Sequence, residues 1–212
     1  MSRRLLVVAT HNRAKAREIA ELLAAEDLPV EALSLGDFPG VSLPPEVGLT
    51  FAENAAAKAR HTAQATGLAA LADDSGLEVE ALGGRPGVYS ARYAGEGASD
   101  EQRCQKLLAE LRGVPAHRRR ARFRCAAAYA EPGGATLLAE GACDGRIAER
   151  PAGAGGFGYD PVFIPQGRRR TMAQLSPAEK HAISHRGRAF RLLARAIREH
   201  LKRQPADDPA GP

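Results

Sequence analysis

The 212-residue sequence contains no tryptophan, only four tyrosines and six phenylalanines, and just three cysteines. Cys104, Cys125 and Cys143 stand far apart with no CxxC pair, which excludes a zinc knuckle and an even disulfide framework. A reduced, cytoplasmic protein is the resulting expectation. Long apolar runs are missing too. Nothing nears the ~18 residues of a membrane span, and the five apolar residues Leu5 to Ala9 behind the basic start are too few for a signal peptide. Internal repeats are absent. The polar stretch 204–212, QPADDPAGP, is expected to be a disordered tail.

What is present is ordinary for a globular chain, with 44% hydrophobic and 26% charged residues. The length suits one domain over residues 1–203 with a sizeable core. A net charge of +5 points to acidic partners, phosphates or nucleic acid. The most basic run, Arg118 to Arg124, alternates Arg120, Arg122 and Arg124 with Ala121, Phe123 and Cys125. That pattern predicts a strand with one solvated face. Its single aromatic points to the other face, which argues against a nucleic-acid patch.

The chain is organised around Ala69 to Gly95, where an apolar run enters Asp73-Asp74 and then Ser75-Gly76. Paired acids at a strand end can hold a hard divalent cation at a sheet edge, with phosphates and waters completing its shell. An Asp-Ser-Gly turn after the strand is the plainer alternative. Before this stretch, Leu5 to Thr10 reads as a strand, Ala14 to Ala25 as a helix and Pro29 to Leu35 as a second strand. The THNRAK turn between the first two offers polar side chains and free N–H groups at a helix start, a place for an anion. There Asn12 serves equally as an N-cap, and Lys15 as a solvated first-turn lysine.

Capping boxes predict three helix starts, at Thr50 with Glu53, at Ser99 with Gln102, and at Ser176 with Glu179 behind Pro177. Gly67 and Gly113 should close the first two. Lys58 and Lys180 fall early in their helices, where a cation opposes the dipole unless an anion lies close. Glu46, in the preceding loop, has no capping duty. Pro132-Gly133-Gly134 predicts a hairpin to a strand from Ala135 to Gly141. Gly153 to Gly158 matches GxGxxG, yet Pro151 precedes it and Tyr159-Asp160-Pro161 follows, so the dinucleotide-binding reading fails. A glycine loop carrying Phe157 suits close approach to a flat ligand. His185 and Arg186 lie at the break before a last helix, whose apolar stripe is Phe190, Leu193, Ile197 and Leu201. Gathered together, these acids, cations and the Phe157 ring describe an Mg²⁺-dependent enzyme acting on a nucleoside polyphosphate.

Five blocks in order carry a resemblance: ATHNRAK, LTFAENAAAKAR, ADDSGLEVEALGGRPGVYSARYAG, GGFGYDPVF and LSPAEKHAISHRGRA. The chain resembles the inosine triphosphate pyrophosphatase family along all of its length but the tail. The resemblance implies an α/β fold, an elongated mixed β-sheet flanked by helices, with two lobes and a central cleft. It further implies a homodimer, with neither nucleic acid nor membrane as partner. Hydrolysis of non-canonical purine nucleoside triphosphates (ITP, dITP, XTP) to monophosphate and pyrophosphate, with Mg²⁺ as cofactor, is the implied activity. Carried over by position, Thr10, His11, Asn12, Arg13, Ala14 and Lys15 form the phosphate loop, and Glu46 and Asp74 bind the metal. Asp74 is also the general base, supported by Asp73. Ser75 contacts substrate, and Lys58 and Lys180 lie near the phosphates. Phe157, Gly158, Tyr159, Asp160, His185 and Arg186 hold the purine. The sequence departs from the family pattern at His11, where glycine is frequent, and at Val47, where a polar residue is common. The rivals are a Maf-like pyrophosphatase preferring pyrimidine or modified nucleotides, against which FGYD and SHR speak, and a basic RNA- or DNA-binding module.

Overall fold

A computed structural model of the chain describes residues 3–203. The predicted tail, 204–212, lies outside the described residues. Strands β1 (Arg4–Val8), β2 (Val30–Ser34), β3 (Ala69–Val79), β4 (Arg120–Ala130), β5 (Thr136–Ile147) and β6 (Phe163–Pro165) form one sheet in the order β2-β1-β3-β4-β5-β6. The first three are mutually parallel and the remainder antiparallel, so the sheet is mixed, as expected. Helices α1 (Arg13–Ala25), α2 (Phe51–Thr66), α3 (Asp100–Glu110), α4 (Pro177–Ile183) and α5 (His185–Arg203) cover it. None of the described helices is long and apolar enough to cross a membrane.

All three predicted capping boxes are formed, at Thr50, Ser99 and Ser176, and Gly67 closes α2 in the left-handed conformation. Such caps are legible because the partners sit three residues apart and need no tertiary help. Helix α3 ends at Glu110, one turn short of Gly113. The hairpin strand β5 extends well beyond Gly141, to Ile147.

The structure corrects the expectation at Ser75-Gly76. No turn follows the paired acids; β3 runs straight through them to Val79, pairing residue by residue with β4. The acids do lie at a local sheet edge: β1 pairs with β3 only as far as Leu71, and at Asp73 and Asp74 the strand has β4 as its one paired neighbour. Gly76 is there for room. A Cβ on it would run into Gly87 O, Ser90 Oγ and the Phe51 ring, the close approach a glycine within a strand permits.

Strand alternation then assigns the faces. Ala70 and Ala72 of β3, with Ala126, Ala128 and Ala130 of β4, pack under α2 through Phe51, Ala55, Ala59 and Ala63. On the opposite face, Leu71, Cys125, Ala127 and Tyr129 join β1, α1 and α5 in one apolar group. Further along that same face, Leu77, Val79, Ala121 and Phe123 join α3 and β6 in another. Between these two apolar groups lie Asp73 and Ser75. The polar site occupies that gap.

The basic strand behaves as its alternation predicts. Phe123 and Cys125 are buried, while Arg122 pairs with Asp144 at 2.6 Å and Arg124 with Glu140 at 2.6 Å. Cross-strand acids thus answer the charge of this face.

Candidate active site

Because neighbouring residues of a strand point to opposite faces, Asp73 and Asp74 enter different surroundings. Asp74 faces α2. Its Oδ2 accepts from Asn54 Nδ2 at 2.9 Å, and Lys58 Nζ lies 3.4 Å from Oδ1. The same lysine donates to Glu46 Oε1 at 2.6 Å, so Glu46 and Asp74 converge on one nitrogen. Lys58 lies two turns into α2, so its burial answers to these acids rather than to the helix dipole. Gly48 N donates to Asn54 Oδ1 and Leu49 N to Glu53, which tethers the Glu46 loop to the start of α2. Arg92 adds a second cation, 3.8 Å from Glu46 Oε2.

The two carboxylates sharing Lys58 are pushed apart in acidity. Burial raises Glu46, but Lys58, Lys15 and Arg92 outweigh it and hold the group below its ordinary value. Burial raises Asp74 further than Lys58 can lower it, and the charge of Glu46 adds to the rise. A pair of this kind is the usual signature of an acid–base site.

Asp73 faces the gap between the apolar groups. Arg186 donates Nε and Nη2 to its Oδ2 at 3.2 and 2.9 Å, and Lys15 Nζ lies 3.4 Å from Oδ1. Burial opposes ionisation here, yet Lys15 and Arg186 hold the carboxyl far below the usual range. Arg186 also donates to Ser75 Oγ at 2.8 Å and to Glu18 Oε2 at 3.1 Å. Asp73 therefore serves the Arg186 side rather than supporting Asp74.

Lys180, expected among the phosphate lysines, sits with Arg186. Its Nζ lies 2.9 Å from Asp160 Oδ2 and 3.4 Å from Glu18 Oε2. In the seven-residue α4 the lysine is as near the last turn as the first, so the dipole argument made from sequence does not apply. The Phe157 ring covers both cations, 4.6 Å from Lys180 Nζ and 5.3 Å from the Arg186 guanidinium carbon. Asp160 holds that loop through Phe157 N at 3.0 Å, and Tyr159 Oη donates to Ser90 O at 2.9 Å. His185 stacks on Phe123 at 4.6 Å, and burial keeps its imidazole neutral well below the ordinary histidine value. Together these residues line a slot of about 100 Å³.

At the other end, Asn12 caps α1 by accepting from Ala14 N and Lys15 N, both at 3.0 Å, and its own N–H donates to Thr10 Oγ1 at 3.2 Å. His11, Asn12, Arg13 and Ala14 are exposed and Lys15 is half-buried, aimed at Asp73. Asp74, Glu46 and Lys58 thus meet on one face of β3, and Lys15, Ser75, Phe157, Asp160, Lys180, His185 and Arg186 on the other, whereas His11, Arg13 and Ala14 stay exposed at the start of α1. Four partners were missed: Glu18, Asn54, Arg92 and Asp100. A larger groove, about 910 Å³ between Arg120, Arg122, Arg146 and Arg168, holds none of the predicted site residues.

Residues 6–196 match the pattern of the Ham1 family. The chain belongs to the Ham1 family. Among its relatives, the dITP/XTP pyrophosphatase of Geobacillus kaustophilus is 54% identical over 188 residues, 89% of this chain and 91% of that protein. That of Geobacter sulfurreducens is 53% identical over 92% of this chain and 96% of its own. In three dimensions, the HAM1 protein of Coxiella burnetii superposes with a TM-score of 0.83 at 45% identity, covering 92% of this chain and 99% of that one. Membership spans β1 to the middle of α5, and so includes every element that builds the site.

Proposed function

We propose that this Ham1-family protein hydrolyses non-canonical purine nucleoside triphosphates, ITP, dITP and XTP, to the nucleoside monophosphate and pyrophosphate. One observation carries the reading. Two adjacent acids of one strand join a carboxylate–lysine cluster on one face to a cation-floored aromatic slot on the other. A reacting phosphate and a recognised base need that kind of separation.

Glu46 and Asp74 fit a hard cation. Their oxygens already converge on the Lys58 ammonium, and two carboxylates with substrate phosphates and waters make an Mg²⁺ shell. Among the described residues no set of three acidic, histidine or cysteine ligands forms an all-protein cage. When bound, Mg²⁺ would neutralise triphosphate charge and acidify a water.

Asp74, more basic than an ordinary carboxylate, takes the proton of a water aligned for attack at the α-phosphorus. The P–O bond to the pyrophosphate then breaks, and Lys15 and Lys58 offset the charge gathering on the departing group. Asn54 fixes Asp74 through its Oδ2, and the proton goes to Oδ1, which Lys58 Nζ approaches only to 3.4 Å. In the slot, the purine lies against the Phe157 ring. Ser184 caps Gly187 N and Arg188 N, so the donors offered to a 6-keto oxygen are the backbone N–H groups of His185 and Arg186, which have no acceptor within the helix. The amino group of adenine would meet donors with a donor, and sites of that type reject an analogue by ~10⁴-fold or more. The reading includes a homodimer, no nucleic-acid partner and a cytoplasmic setting.

Product analysis with ITP, ATP and GTP, each with and without Mg²⁺, tests it. IMP and pyrophosphate from ITP, abolished by chelation and by Asp74→Asn, are expected. Release of orthophosphate with IDP, or equal turnover of ATP, would overturn the reading.

A further inference from the structure

One end of the aromatic slot is held from outside the segments assigned above. Asp100, the first residue of α3, reaches across to the glycine loop, and its Oδ2 accepts from Gly158 N at 2.6 Å. Its Oδ1 accepts from Arg103 Nη2, one turn along the helix. Arg103 in turn donates Nη1 to Ala91 O at 3.0 Å and to Ala98 O at 2.5 Å. The Gly158 peptide is gripped from its other side as well, because Cys104 Sγ donates to Gly158 O at 3.4 Å. Burial raises the Cys104 thiol to about 12, so it remains a donor.

The first turn and a half of α3 thus clamps two walls of the slot. One wall is the 157–160 loop with its Phe157 ring, and the other is the turn around Ala91. Asp100 is the link between them, with one oxygen committed to each side. At Gly158, with φ +62°, the chain turns away after a peptide whose N–H is held by Asp100 and whose preceding ring lies over Lys180 and Arg186. A hydrogen bond to an ionised acceptor is roughly twice as strong as a neutral one. Neither Asp100 oxygen is spare, so an amide in its place, with one acceptor and one donor end, cannot satisfy both donors.

We infer that Asp100 is a positioning residue for base recognition: through Gly158 N it fixes the Phe157 ring over the slot. The inference rests on the slot being the purine site, but its effect on the loop does not. Asp100→Ala should raise the KM for ITP about tenfold, the scale of one charge-assisted hydrogen bond, and leave kcat nearly unchanged. Competitive inhibition by inorganic tripolyphosphate, which occupies the phosphate side alone, should be unaltered. Hydrogen exchange in the 157–160 segment should quicken while that of β3 stays as it was. Asp100→Asn, which retains one acceptor, should fall between, and it is the test if the alanine variant does not fold.

A loss of tripolyphosphate inhibition in step with the KM change would mean general damage and overturn the inference. So would unchanged KM together with unchanged exchange. If the wild-type protein turned over no purine triphosphate, the functional reading would fail. Exchange at 157–160 would then decide by itself whether Asp100 fixes the loop.

Discussion

The sharpest perturbation of this site is Asp73→Asn. Asp73, Glu18 and Asp160 face Arg186, Lys180 and Lys15, three acids against three bases in the gap between two apolar groups. Asp73 and Arg186 are almost wholly buried, at 2% and 1% exposed. Neutralising Asp73 leaves the cluster one positive charge in excess. Breaking a buried pair by removing one partner typically costs 3–5 kcal/mol. Arg186 keeps Glu18 at 3.1 Å, and the amide oxygen still accepts one hydrogen bond, so the expected loss is about 3 kcal/mol. For a chain of this size that lowers Tm by roughly 6–12 °C.

The pH dependence gives a second, independent readout. The fold holds the Asp73 carboxyl well below its ordinary value. Its contribution is therefore complete above the unfolded value of about 3.9 and is lost as pH falls. Urea denaturation of both proteins should show the gap at pH 7 narrowing by about 0.7 kcal/mol at pH 3.5. A gap below about 1 kcal/mol at pH 7, under the range for buried pairs, would refute the reasoning, as would one that widens on acidification.

Asp74→Asn should do the opposite to stability. Burial pushes that carboxyl upward, so an amide is the easier group to bury; calorimetry should find Tm unchanged or higher while kcat falls ~10²–10⁴-fold. Gly141→Ala should destabilise by about 1–3 kcal/mol and raise the KM for ITP. Its Cβ would strike His185 O and Ala189 N, prising the start of α5 and Arg186 from the sheet; an unchanged denaturation midpoint would exclude this. Phe157→Ala should raise the KM for ITP about tenfold without altering inhibition by tripolyphosphate, and steady-state kinetics would expose an error if both moved together.

What sequence made legible was local or modular. Thr50 with Glu53, Ser99 with Gln102 and Ser176 with Glu179 announced their helices because each box closes within one turn. Asp74, Lys58 and Phe157 stood out from type and context, and the structure gathers them around β3. The hidden part was non-local. Glu18 lies beside the apolar stripe of α1 and reads as solvated, yet its partner Arg186 is 168 residues away. Asp100 sits inside the Ser99–Gln102 capping box, where an acid is ordinary, and only the return of the glycine loop 58 residues later brings Gly158 N to it. Asn54 had a signal that could have been used: it follows the capping Glu53, one turn before Lys58, and therefore shares that lysine's helix face. The Ser75-Gly76 turn failed for a physical reason. A serine and glycine make a turn only when the chain must reverse, whereas β3 has a partner to pair with as far as Val79.

Why two adjacent acids rather than one follows from that same strand. A residue on a pleated strand can serve only one face, so a strand feeding both a reacting centre and a recognition slot needs neighbouring acids. Their surroundings then drive them apart: Asp73 is clamped ionised by Lys15 and Arg186, and Asp74 is made more basic by burial, with the charge of Glu46 adding to it. A slip of one residue would exchange the two roles. Register is guarded on both sides. Asp73 and Asp74 pair with Ala127 and Ala126, whose methyl groups leave room for Arg186 on one face and for Asn54 and Lys58 on the other. Two residues on, Gly76 admits the backbone of Gly87 where any side chain would collide. Bulk at 126 or 127 should therefore damage activity before it damages the sheet, because the strands can still pair while the side chains around each acid lose their places.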